Sequence, residues 1–113
     1  MAPPHVPERG DIVWLGFDPH AGHEQAGRRP ALIASPRAYN QKVGLALLCP
    51  ITNQQKGYPI EVVLPKGLRV AGIVLADQLK SVNWRAGHAE FCCKVPVTTV
   101  LETIGKAQSL LPV

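Results

Sequence analysis

Residues Gly44 to Thr52 read GLALLCPIT. This apolar run predicts a long buried strand, with Pro50 marking a bulge or an edge. Working toward the N-terminus, Pro30–Ser35 (PALIAS) and Asp11–Phe17 (DIVWLGF) predict two further strands rich in apolar and β-branched residues. Between the first of these strands and the long one, Ser35-Pro36 resembles a helix start, with Ser35 as N-cap and Pro36 at the first helical position. It predicts a short helix to about Gln41. Toward the C-terminus, Asn53–Tyr58 (NQQKGY) is a polar turn. Ile60–Leu64 and Gly72–Ala76 predict strands, and Leu79–Trp84 and Ala89–Lys94 carry weaker strand patterns. After Pro96 the period changes. Val97, Val100, Leu101, Ile104, Ala107 and Leu111 recur at helical spacing and predict one amphipathic C-terminal helix. Gly105 weakens it by about 1 kcal/mol relative to Ala. With 10 Gly and 11 Pro in 113 residues, short strands and turns are favoured over long helices. The expectation is a mainly β fold in one domain over residues 1–113: a small, partly open barrel with a short helix and a C-terminal helix.

Charge is unevenly placed. No acid lies between Glu24 and Glu61, whereas Arg28, Arg29, Arg37, Lys42 and Lys56 do, so that window carries +5 and the rest of the chain −1, for a net charge of +4. Such a patch suits a polyanion or an acidic protein partner; a plain solvated basic face is the other reading. No apolar run approaches the 20 or so residues of a membrane span. The opening MAPPHVPERGD lacks the apolar core of a secretory signal. Three cysteines, two of them adjacent (Cys92, Cys93), argue against a disulfide framework and for a reducing cytoplasm. Zinc-type Cys-x-x-Cys, His-Glu-x-x-His and phosphate-cradling glycine motifs are absent. Asp18, His20, His23 and Glu24 cluster, but at no common metal-site spacing, so no metal and no cofactor is expected.

The polar stretch Asp18–Arg29 is long for a connection in so small a chain, and long loops are commonly functional. It holds Glu24, Gln25, Arg28 and Arg29, and Pro30 restrains Arg29 to an extended backbone at a strand mouth. A carboxylate beside a fixed guanidinium can work on a phosphodiester. The carboxylate accepts a proton, and the guanidinium grips non-bridging oxygens and stabilises a pentacoordinate state. An ion pair closing the loop is the alternative. Thr52 ends the long strand, where its hydroxyl can donate to a phosphate oxygen or cap the following turn. Asp77-Gln78 is either a groove wall or a turn. Trp14 and Trp84 read as core, and Tyr39 and Tyr58 read equally as base-stacking groups or sheet-edge packing. His88 stands alone and reads as structural.

Six segments then fall into a familiar order. RGDIVW (Arg9–Trp14) with Phe17-Asp18-Pro19, EQAGRRPA (Glu24–Ala31), CPIT (Cys49–Thr52), KGYP (Lys56–Pro59), LADQ (Leu75–Gln78) and KSVNWR (Lys80–Arg85) resemble the MazF/PemK family of toxin endoribonucleases. The resemblance implies an SH3-like barrel, of the type shared with the CcdB gyrase poisons, and a homodimer. It implies sequence-specific, metal-independent cleavage of single-stranded RNA, mainly mRNA, leaving 2′,3′-cyclic phosphate and 5′-hydroxyl ends. It also implies an acidic antitoxin whose extended tail occupies the RNA groove. Arg29, Thr52 and Glu24 carry over as catalytic residues, and Gln25, Arg28, Lys56 and Gln78 as RNA-binding ones. Two rivals are weighed against it. A gyrase-targeting or non-catalytic toxin on the same barrel is disfavoured because the chain ends Leu-Leu-Pro-Val, not Trp-Gly-Ile. A metal-dependent hydrolase would centre on Asp18, His20, His23 and Glu24.

Overall fold

The computed structural model describes residues 5–16 and 27–111. Among these residues, seven strands and two α-helices follow one another: β1 (Asp11–Gly16), β2 (Arg28–Ile33), α1 (Arg37–Val43), β3 (Leu45–Thr52), β4 (Glu61–Val63), β5 (Ile73–Leu75), β6 (Lys80–Asn83), β7 (Glu90–Lys94) and α2 (Val97–Ser109). All strand pairs are antiparallel. The order is β4-β5-β3-β2-β1-β7, with β6 also pairing β3, so the barrel expected from the sequence is an open one. Among the described residues no helix is long and apolar enough to cross a membrane.

The apolar runs of the central strands have a physical cause. Successive residues of a strand point to opposite faces, and here both faces are covered. Ile12, Leu32 and Cys49 enter one cluster with Val62, Val74 and Val100. Val13, Leu15, Ile33 and Leu48 enter a second with Ala46 and Trp84. Strand β3 serves both clusters and is paired along both edges: with β2 on one side, and on the other with β6 over Leu45–Leu48 and β5 over Ile51–Thr52. Pro50 lies where β6 gives way to β5, and it pairs with Ala31 of β2.

Two element starts and one buried helix face differ from the sequence reading. Strand β2 begins at Arg28, two residues before Pro30, because Gly16 and Leu15 of β1 pair with Arg28 and Arg29. Both arginines therefore belong to a strand. Helix α1 starts at Arg37 with Pro36 as its N-cap and no side-chain cap. The Ser35 hydroxyl is spent elsewhere: it donates to Asn40 Oδ1 and accepts from Leu47 N–H. Buried Asn40 also donates to Pro7 and Ser35 carbonyls, while its own carbonyl accepts from the Trp84 indole. Helix α2 is turned from the predicted face. Val100 and Ala107 are buried with Thr99 and Thr103, whereas Val97 is 68% and Leu101 64% exposed. Thr103 can be buried because its hydroxyl donates to the Thr99 carbonyl at 2.9 Å. Its small side chain lets the helix lie close to the sheet.

The N-terminal segment is tied down by one carboxylate. Asp11 is fully buried. It accepts from Lys94 Nζ at 2.6 Å, contacts His5 Nε2 at 2.8 Å and accepts from Glu8 N–H at 3.0 Å. The hydrogen bond to Asp11 raises the Lys94 ammonium above its usual pKa. Replacing a buried, multiply bonded acceptor leaves its donors without a buried partner. Asp11→Ala is therefore expected to lose about 2 kcal/mol of stability, read as a lower urea midpoint with an unchanged m-value.

Candidate active site

Arg29 and Arg28 are adjacent in β2, so their side chains leave opposite faces of the sheet. That parity separates two residues which the sequence reading grouped. Arg29 lines a cavity of about 410 Å³ together with Trp14, Thr52, Asn53 and Arg69. Arg28 lies in a different hollow with Trp84, Arg85 and His88. There its Nη2 donates to the Trp14 carbonyl at 3.1 Å and the His88 carbonyl at 2.8 Å, with Glu90 3.9 Å away. Arg28 thus cross-links β1, β2 and the β6–β7 turn. Of the other sequence candidates, Glu24 and Gln25 lie outside the described residues, as do Asp18, His20 and His23.

Thr52 is brought to Arg29 by the ladder. It is the last residue of β3, and β3 runs beside β2. Its Oγ1 accepts from the Gln54 N–H at 3.2 Å. This is the turn-capping role, but it engages only a lone pair. The hydroxyl proton remains available to an anionic oxygen in the cavity. The two sequence readings of Thr52 are therefore compatible.

Thr52 also lines a second, adjoining cavity of about 140 Å³ with Lys56, Tyr58, Asp77 and Gln78. Asp77-Gln78 is both a single 3-10 turn after β5 and a wall of this cavity. Tyr58, 58% exposed, stands at its rim. Trp84 is core as expected, whereas Trp14 is only partly buried and presents to the larger cavity.

Three residues to which the sequence reading gave no part in the site shape it. Buried Glu61 accepts from Gly57 N–H at 2.9 Å and Lys56 N–H at 3.2 Å, folding the polar turn so that Lys56 borders the cavity. Lys106 of α2 in turn donates to the Glu61 carbonyl at 2.8 Å. Arg69, on the β4–β5 loop, joins Arg29 and Thr52. It lies beyond the basic window, and only the non-local pairing of β3 with β5 brings its loop to Thr52.

Cys49, three residues before Thr52 in β3, lines neither cavity and borders the apolar hollow under α2, where it is chemically quiet. Burial pushes the Cys49 thiol up to about 11, with the Asp77 charge adding to the shift. Cys49 is therefore expected to resist maleimide at pH 8 in the native protein and to react on denaturation. The sign of the linkage follows. A raised folded value stabilises the fold below the unfolded value of 9.0, and that share is lost as pH rises through about 11. Cys49→Ala should flatten the fall in melting temperature over that window.

A basic cavity with a donor hydroxyl at a strand end, opening on a polar annex, is suited to holding a phosphate and a neighbouring base. Comparison with known proteins points the same way. Residues 8–110 match the family of the PemK-like, MazF-like toxin of type II toxin–antitoxin systems. The chain is 54% identical over 89 residues to the endoribonuclease toxin MazF of Escherichia coli strain K12, covering 79% of each protein. Its fold is similar to crystal structures from Deinococcus radiodurans. For MazF (Form-I) the TM-score is 0.86 at 52% identity, over 95% of this chain and 97% of that one. For the MazE–MazF complex (Form-II) it is 0.85 at 47% identity, over 95% and 96%.

Proposed function

We propose, since the chain belongs to the PemK-like, MazF-like toxin family of type II toxin–antitoxin systems, that it is the endoribonuclease of such a pair. On this reading residues 1–113 act as one domain. It cleaves single-stranded RNA, chiefly mRNA, at specific sequences and without metal, and so arrests translation and growth. The observation that carries the reading is the shared cavity of Arg29 and Thr52.

The chemistry follows from those groups. The 2′-oxygen of the RNA attacks the adjacent phosphorus in line and loses its proton to a general base, for which Glu24 is the candidate. The Arg29 fork and the Thr52 hydroxyl bind the non-bridging oxygens as the phosphorane forms. The bond to the 5′-oxygen then breaks and that oxygen takes up a proton. This gives a 2′,3′-cyclic phosphate and a 5′-hydroxyl. A guanidinium holds its proton too firmly to serve as a proton donor, so Arg29 serves as charge stabiliser. Lys56, Gln78 and Gln25 serve the flanking nucleotides. The placement of Arg28 supports a share in backbone binding on the other face at most.

The partners follow from charge and surface. Exposed Arg29 and Lys56 suit RNA phosphates and an acidic antitoxin tail, which would compete for them; a related structure is a MazE–MazF complex. The exposed apolar side chains of α2, with Leu47 and Leu79 beside the apolar hollow under that helix, support a homodimer. Sedimentation of the pure protein is expected to give twice the chain mass, and a monomer at micromolar concentration would remove this part of the reading.

The deciding assay is digestion of long mixed-sequence RNA in excess chelator, with mapping of 5′-hydroxyl ends. Cleavage at one recurring short sequence is expected. Arg29→Ala and Thr52→Val should each lower the rate by about 10²-fold or more, the scale for removing one oxyanion donor. Intact RNA, or cleavage only with added metal, would overturn the proposal.

A further inference from the structure

The β4–β5 loop carries a second guanidinium into the cavity of Arg29 and Thr52, and its backbone holds it there. Gly72 has φ +149°, and a Cβ at that position would lie 2.5 Å from the Thr52 carbonyl oxygen. The loop therefore seats directly on the end of β3. The Leu64 N–H donates to the Gly72 carbonyl at 3.0 Å and closes it. Val70 is buried (8% exposed) in the larger core cluster. Its neighbour Arg69 is exposed at the cavity wall. Among the described residues, neither Arg29 nor Arg69 has a hydrogen-bond or ion-pair partner for its guanidinium.

Charge counting assigns the second arginine a task. A phosphodiester bears one negative charge, which one guanidinium balances. Attack by the 2′-oxygen, its proton having left to the base, gives a phosphorane with two. Two like charges facing one cavity repel each other until the second negative charge appears. A group placed this way binds the transition state more strongly than the bound substrate.

We infer that Arg69 is a further catalytic residue of the RNA cleavage, gripping a phosphorane oxygen together with Arg29. The inference rests on the endoribonuclease reading above. It separates Arg69 from the arginines and lysines that merely track the RNA backbone, whose loss raises KM.

The test uses the full-length protein and an RNA oligonucleotide carrying the mapped cleavage site. Arg69→Ala is expected to lower kcat by about 10- to 100-fold with KM changed by less than about threefold. The same oligonucleotide with a 2′-deoxy sugar at the attacked position cannot react. It should bind Arg69→Ala as tightly as wild type. Arg69→Lys, which keeps the charge but not the fork, should recover part of kcat. Because Arg69 is exposed, its variants should melt like wild type. A kcat for Arg69→Ala equal to wild type overturns the inference, and so does a raised KM with kcat unchanged. If wild type cleaves and Arg29→Ala does not, either result leaves the parent reading standing. RNA left intact by wild type removes both.

Discussion

Strand β3 sends side chains into both apolar clusters and has strand neighbours along both edges, with Leu47 its one exposed side chain, and the rest of the molecule is arranged around that constraint. Its alternating side chains fill two separate apolar clusters. One edge carries β2 and the other carries first β6 and then β5. A strand so enclosed has one tolerable register, since a slip by one residue would exchange the contents of both clusters. Thr52 at its end is therefore fixed by the whole core, and the catalytic hydroxyl of the proposed reaction inherits that rigidity.

Strand parity then distributes the charges. In β2, Arg28 and Arg29 diverge by construction. One becomes a cross-link between main-chain carbonyls, and the other is left uncovered in the cavity. The basic character of the 25–60 window is thus two features on two faces. On the cavity side Arg29 and Lys56 are joined by Arg69, which comes from a different part of the chain. Glu61 and Lys106 link the polar turn through β4 to α2, so the C-terminal helix helps hold the annex in shape.

The order and kind of elements were legible because each strand carries an apolar run bounded by turn residues. The GLALLCPIT run announced its own burial. What the sequence could not convey was set by pairing across distance. The start of β2 depends on how far β1 extends opposite it, which drew Arg28 and Arg29 out of the expected loop. The face of α2 was misjudged because apolar spacing weighs Leu101 above Thr103. The structure prefers the threonine, small and internally satisfied, against the sheet. The pairing of Arg29 with Thr52 was readable through the family resemblance alone. Arg69 was not readable, since its place depends on the β3–β5 ladder.

The contact of Gly72 with the Thr52 carbonyl has a consequence for how such a protein can diversify. That position is a pivot, where any side chain must displace main chain at the end of β3 that carries Thr52. Freedom in the stretch at 65–68 is confined to Pro65 and exposed Lys66, since Gly67 holds φ +94°, which a side chain would strain, and Leu68 packs against the core. Insertions and substitutions there would redraw the rim of the cavity without moving its floor. A variable rim and the fixed end of β3 can therefore drift independently.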